Sequence, residues 1–218
     1  MFSSRSVCIG ALPGLGSVGK VAADYLATAL ECELVKSFFS TGFPAQIMIS
    51  DGLAYLLQAE LKAPKEREGL LIFSGDAQPL EIREMYCLAG EILEEARSRG
   101  STDFIALAAY LGEVENRVLG AASDSDAARQ LEEAGLPLLR NGAIGGLNGL
   151  LAGLAPLYGM RGFCLLGATT GEYPVDLKAT KNLLQTLLPL LDLDISLENL
   201  AFEEPEEAAQ QEPDMNYR

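Results

Sequence analysis

A short apolar run, Val7-Cys8-Ile9, leads into the glycine loop Gly10-Ala11-Leu12-Pro13-Gly14-Leu15-Gly16-Ser17-Val18-Gly19-Lys20. Behind it, Val21-Ala22-Ala23-Asp24-Tyr25-Leu26-Ala27 places its apolar residues at helical spacing. A strand that turns through glycines into a helix restricts the chain to folds built from such units, and it aims backbone N–H groups and a positive helix end at an anion. Two phosphate-loop patterns overlap here. Gly14, Gly16 and Gly19 read as G-x-G-x-x-G, and Gly14 through Lys20 as G-x-x-x-x-G-K. Both fit imperfectly. Val21 stands where a triphosphate site needs a hydroxyl for magnesium. Ala11-Leu12-Pro13 sets the glycines too far from the strand for a dinucleotide loop, and the acid expected about 20 residues on is Glu31 or Glu33, ahead of the next strand. The other reading is that the glycines make a tight turn and let the helix approach the sheet. The packing reading takes precedence, and the anion reading stays open.

Further along, Glu33 to Phe39 read as a strand. Gln46 to Ser50 and Leu53 to Leu57 flank Asp51-Gly52, a strong hairpin signal because both turn residues need positive φ; on this reading the sheet is not purely parallel. Gly69 to Ser74 is a continuous apolar run, as a strand covered on both faces requires. It ends in Gly75-Asp76-Ala77-Gln78-Pro79, a polar loop at the strand end where open α/β sheets place ligands. Glu81 to Arg99 predict an amphipathic helix with Ile82, Met85, Leu88, Ala89, Ile92 and Leu93 on the apolar face and Gly100 as its stop. Asp103 to Ala109 predict another buried strand, and Arg117 to Ala122 a short one. Ser123 or Asp124 caps a helix running to Glu133, closed by Gly135.

Asn141 to Ala155 form a second glycine-rich region. It is read as a buried helix whose small residues admit close neighbours, with backbone anion binding as the alternative. Arg161 to Gly167 predict a strand, Asp176 to Leu191 a long helix, and Ser196 to Phe202 a short one. Strands alternating with helices, plus one hairpin, give an α/β fold: a three-layer α/β/α sandwich with a mixed sheet.

The chain of 218 residues contains no histidine. That removes Ser-His-Asp and Cys-His machinery, histidine bases and nearly all ordinary catalytic zinc sites. No catalytic residue, metal or cofactor is assigned. A net charge of −15 argues against nucleic acid and anionic membranes as partners. No secretory leader and no membrane span are expected. Cys8, Cys32, Cys87 and Cys164 are far apart, which suits reduced, buried thiols in a cytoplasmic protein.

From Glu203 the composition changes. Glu203 to Asp214 hold two prolines and six acids and no core-forming residue, which predicts a disordered acidic tail over 203–218 behind a domain over 1–202. A tether of that length reaches roughly 20 Å as a flexible coil. It carries Met215-Asn216-Tyr217-Arg218, read either as a docking peptide or as a frayed end.

Four groups of residues carry a family resemblance: Pro13 to Lys20 with Ala22 to Leu26; Gly75 to Pro79; Gly142 to Leu151; and Gly171-Glu172-Tyr173 with Val175-Asp176. In this order and spacing the chain resembles the proteasome assembly chaperones of the group related to the second eukaryotic chaperone subunit, and its archaeal members above all. The resemblance covers about residues 5 to 200. It implies a phosphorylase/hydrolase-like α/β/α fold without the catalytic residues of the nucleoside phosphorylases. It also implies homo-oligomers and binding to the α-subunit face of the proteasome 20S core. Family members dock partly through a C-terminal hydrophobic-tyrosine-any motif, whose carboxylate meets a lysine between α subunits. Tyr217 and Arg218 match its last two positions. Asn216 stands where the motif has a hydrophobic residue, and Met215 comes one position early. The missing apolar burial costs on the order of 1.5–3 kcal/mol per site, which several tails on one oligomer can recover by avidity.

The leading expectation is therefore a non-enzymatic proteasome assembly chaperone or adaptor, with proteasome α subunits as partners and Met215, Asn216, Tyr217 and Arg218 as contacts. The alternatives are a nucleotide-dependent ligase-like enzyme or a small-molecule-binding protein. Either would use Gly14, Gly16, Gly19 and Lys20 for an anion, and the ligase would use Asp76 for a metal.

Overall fold

The computed structural model describes residues 1–2, 5–112 and 118–200. Strands β1 (Val7–Ala11), β2 (Glu33–Phe38), β5 (Ala59–Ala63), β6 (Leu70–Gly75), β7 (Asp103–Leu111), β8 (Val118–Ala122) and β9 (Arg161–Thr169) form one sheet in the order β2-β5-β6-β1-β7-β9-β8. The middle four, β6-β1-β7-β9, are parallel. β5 runs antiparallel to β2 and β6, and β8 antiparallel to β9.

The parallel strands are apolar without alternation because both faces are covered. Val7, Ile9 and Ala11 of β1 enter one core with Ile72, Ile105, Leu107, Phe163 and Leu165. Cys8 and Leu12 enter the other with Leu71, Phe73, Phe104, Ala106 and Cys164. Helices α1 (Val18–Ala29), α3 (Ser125–Glu133) and α5 (Leu177–Leu191) close the first core, and α2 (Ile82–Ser98) and α4 (Gly146–Leu154) the second. The three-layer α/β/α sandwich with a mixed sheet is thus the observed architecture.

Local chemistry sets the helix ends. The Asp124 side chain accepts from Ala127 N–H at 2.8 Å at the start of α3, and Asp176 from Ala179 N–H at 2.8 Å at the start of α5. Gly100, at φ 92°, follows α2 in the left-handed region that favours glycine.

Four expectations need correction. The hairpin exists, as β3 (Ile47–Ser50) and β4 (Leu53–Leu56), with Asp51 and Gly52 at φ 50° and 78°. It forms a separate two-stranded sheet, however, so the antiparallel members of the main sheet are β2, β5 and β8. Ile82 is not on the buried face of α2: it is the first residue of that helix and is exposed. Residues 196–200 carry a turn and no helix. The Tyr25 hydroxyl donates to the Ser196 carbonyl at 2.6 Å while Ile195, Leu197 and Leu200 settle on the first core. Of the thiols, Cys8 and Cys164 are buried, Cys32 is half-buried, and Cys87 is exposed on the solvent side of α2. Arg117 lies outside the described residues, as do Ala201 and Phe202 and the whole tail from Glu203.

Candidate functional site

The C-terminal ends of β1, β6, β7 and β9 share one edge of the sheet, so the loops after β1, β6 and β9 meet there with the N-terminus of α4. Three fastenings hold the loop after β1. Asn148, in the first turn of α4, accepts from Leu12 N–H at 2.8 Å through Oδ1 and donates to the Leu12 carbonyl at 2.9 Å through Nδ2. Gln78, after β6, donates to the Pro13 carbonyl at 2.7 Å and accepts from Leu147 N–H at 2.7 Å. Asp176 N–H, ahead of α5, donates to the Gly16 carbonyl at 2.8 Å. The Asp176 carboxylate is itself held by Thr169 Oγ1 at 2.6 Å. Four sequence motifs, scattered over the chain, are therefore one hydrogen-bonded junction.

The glycines of the loop have different roles. Gly16 sits at φ 57°, within a short 3-10 turn over Leu15–Ser17, where an L side chain is strained. Gly19 opens α1 against β7: a methyl group there would stand 2.3 Å from the Leu107 carbonyl oxygen. Gly14 has only the amide ends of Asn148 and Gln78 nearby, at 3.6 and 3.9 Å. No side chain caps α1, since Ser17 is left-handed and makes no cap hydrogen bond.

The structure divides four of the five candidate ligand residues between two hollows. Gly14 and Gly19 line an apolar hollow of about 390 Å³ with Tyr110, Ile144 and Asn148. Lys20 and Asp76 line a polar cleft of about 450 Å³ with Asp24, Glu60 and Lys62. Gly16 lines neither and is packed beside Asp176 and Thr169. The Lys20 ammonium is paired with Asp24 one helical turn on. The Asp76 carboxylate accepts from Gln58 N–H at 3.0 Å, and its own N–H donates to the Gln58 carbonyl at 2.9 Å. Lys20 and Asp76 thus share the lining of one cleft, and each already holds a protein partner there. Among the described residues no cluster of Cys, Asp and Glu is disposed to bind a metal, and no helix is long and apolar enough to cross a membrane. Met215, Asn216, Tyr217 and Arg218 lie outside the described residues.

Gln78 and Asn148 are the residues whose roles sequence reasoning missed. Both sit inside quoted motifs, but partners 65 and 136 positions away leave no local signal.

The sequence pattern of the PAC2 family matches residues 8–215. The chain belongs to the PAC2 family. A relative, an uncharacterized protein of Methanocaldococcus jannaschii, is 32% identical over 202 residues, spanning 90% of this chain and 78% of its own. Among solved structures, Pyrococcus furiosus PbaB, described as an archaeal proteasome activator, matches with a TM-score of 0.81 and 29% identity, over 90% of this chain and 87% of PbaB. Pyrococcus furiosus PbaA, described as an archaeal homolog of proteasome-assembly chaperone, matches with a TM-score of 0.77 and 28% identity, over 90% of this chain and 81% of PbaA. The PAC2 membership carries the family resemblance read from the motifs.

Proposed function

We propose that this PAC2 protein is a non-enzymatic chaperone or adaptor of the proteasome. On this reading it works in the cytoplasm as a homo-oligomer and binds the α-subunit face of the 20S core, partly through Met215, Asn216, Tyr217 and Arg218. The observation that carries the reading is the likeness to PbaB, which spans nearly the whole chain with a TM-score of 0.81 at 29% identity; PbaA adds to it. The engaged state of Lys20 and Asp76 favours a scaffold over a reaction site, because each already has a protein partner. The tail carries the Tyr217 ring near the end of an acidic tether, a chemistry suited to docking as a short peptide in a partner's pocket.

The test is capture of the α ring from source lysate by the full chain and by a chain lacking Tyr217 and Arg218. Capture by the full chain and its loss on truncation are expected. Equal capture by both overturns the role of the tail, and no capture by either overturns the proteasome reading.

A further inference from the structure

Sheets in water hide at least one face, and an isolated two-stranded hairpin is marginally stable at best. The β3–β4 hairpin hides neither face. Ile47, Ile49, Ala54 and Leu56 share one side, and Met48, Ser50, Leu53 and Tyr55 the other, by the pairing of the two strands. All eight residues are exposed. Among the described residues its outer edges are also unpaired, since neither strand joins the main sheet. Yet the base of the hairpin is firmly set. Leu57 is buried, Leu80 N–H donates to the Gly42 carbonyl at 2.7 Å, and Ser40 and Thr41 hydroxyls both donate to Glu84 at 3.1 Å. The arm is thus presented by the body without being covered by it.

What covers it follows from charge and shape. The chain has 31 acidic against 16 basic residues, so two copies repel each other over most of their surface. Between Ser37 and Ala59, however, the sole charged residue is Asp51 at the tip of the turn. This is where like-charged copies can meet closely, whereas a basic partner surface would desolvate its charges here with nothing to pair them. At the foot of the arm lies an open hollow of about 680 Å³ lined by Phe39, Phe43, Pro44, Ile47 and Leu56. One molecule therefore carries both an apolar ridge and an apolar recess, as a self-complementary interface requires. Six large side chains of the arm are 46–64% exposed. They offer on the order of 600 Å² per copy, against the roughly 500 Å² per partner that a specific interface needs.

We propose that the β3–β4 hairpin is a self-association arm: the arm of one copy lies in the hollow at the foot of its neighbour's arm, and the exchange is mutual. The proposal places the homo-oligomer of the preceding reading on a named surface and is independent of docking to the α ring.

Sedimentation of the full chain tests it, alongside Ile49→Glu, Leu53→Glu and, as a control on an exposed leucine elsewhere, Leu157→Glu. The wild type and Leu157→Glu are expected to sediment as oligomers. The two arm variants are expected to be monomers with association weakened at least roughly a hundredfold, still folding cooperatively but with a melting temperature that no longer rises with protein concentration as the wild type's does. Tyr55→Trp supplies a second readout in a chain that has no tryptophan: its emission should shift to the blue as protein concentration rises. A monomeric wild type overturns both this inference and the homo-oligomer, leaving the α-ring test untouched. Oligomeric arm variants, dissociation by Leu157→Glu as well, or an indole emission from Tyr55→Trp that ignores concentration overturns the arm alone. So does loss of α-ring capture by arm variants that remain oligomeric, which would assign the arm to a different protein.

Discussion

Asn148 satisfies both backbone polar groups of Leu12, accepting from its N–H at 2.8 Å and donating to its carbonyl at 2.9 Å. Both residues are buried. A primary amide side chain here imitates the rung of a sheet just past the end of β1, and it joins α4 to the loop without a water.

Replacing Asn148 by Ala leaves two buried backbone groups without partners. The expected cost is about 2–5 kcal/mol, read as a lower urea midpoint with an unchanged slope. Asn148→Asp keeps the acceptor but sets a carboxylate oxygen against the Leu12 carbonyl, so it should not rescue the loss.

Gly19 and Gly14 separate the packing reading of the loop from the anion reading. Gly19→Ala drives a methyl group to 2.3 Å from the Leu107 carbonyl oxygen. It should destabilise by about 2 kcal/mol or more through overpacking. Gly14→Ala has room at 3.6 Å and should stay within about 1 kcal/mol of wild type. Equal, small effects at both positions in thermal unfolding would contradict packing as the reason for Gly19.

Lys20 and Asp24 form a half-buried pair one helical turn apart that borders the open cleft, and such helix pairs are worth about 0.3–0.5 kcal/mol. Lys20→Met should therefore change stability little. Millimolar ATP with magnesium should leave the melting temperature of both proteins unmoved, since a ligand selective for the folded chain must raise it. A rise in the wild type that Lys20→Met abolishes would restore the nucleotide reading.

Burial pushes the Cys164 thiol from an ordinary 9.0 up to about 12. Burial also pushes Cys32 up to about 11, against the pull of nearby Lys62. Cys8, wholly enclosed, is driven up as well. Folded values above unfolded ones mean that the unfolded chain sheds its thiol protons first. The stabilisation is whole below pH 9.0 and declines as pH climbs from there towards 12. The urea midpoint under reductant should fall across that window, and Cys164→Ala should flatten the fall. In the folded chain at neutral pH, a thiol reagent should find Cys87 first, the exposed one.

Much of the fold was legible because its signals are local. The run Leu70 to Ser74 is apolar throughout, Gly100 and Gly135 stop helices at φ 92° and 85°, and Asp51-Gly52 turns a hairpin. β5 was not foreseen. Ala59-Glu60-Leu61-Lys62-Ala63 does alternate, but it is only five residues long, with two charges and two alanines, residue types depleted in strands. Its place between β2 and β6 comes from tertiary pairing. Ile82 follows helical spacing yet faces solvent, because periodicity marks a face and says nothing of where the opposing layer ends. The junction at the strand ends was legible only as separate motifs: amide-to-backbone bonds spanning 65 to 136 positions leave no periodic trace.

β1 has β6 on one side and β7 on the other, and its loop is fastened by Gln78, Asn148 and Asp176. All of these are translated after it. On the ribosome the first strand must wait unpaired until Leu70 and then Asp103 have emerged, and the last fastening arrives with Asp176. Closure over such spans is slow and leaves apolar segments open meanwhile. The nascent chain is thus bound to fold late and nearly whole, and a message cut short before Asp176 should yield a product fit for degradation rather than a smaller working domain.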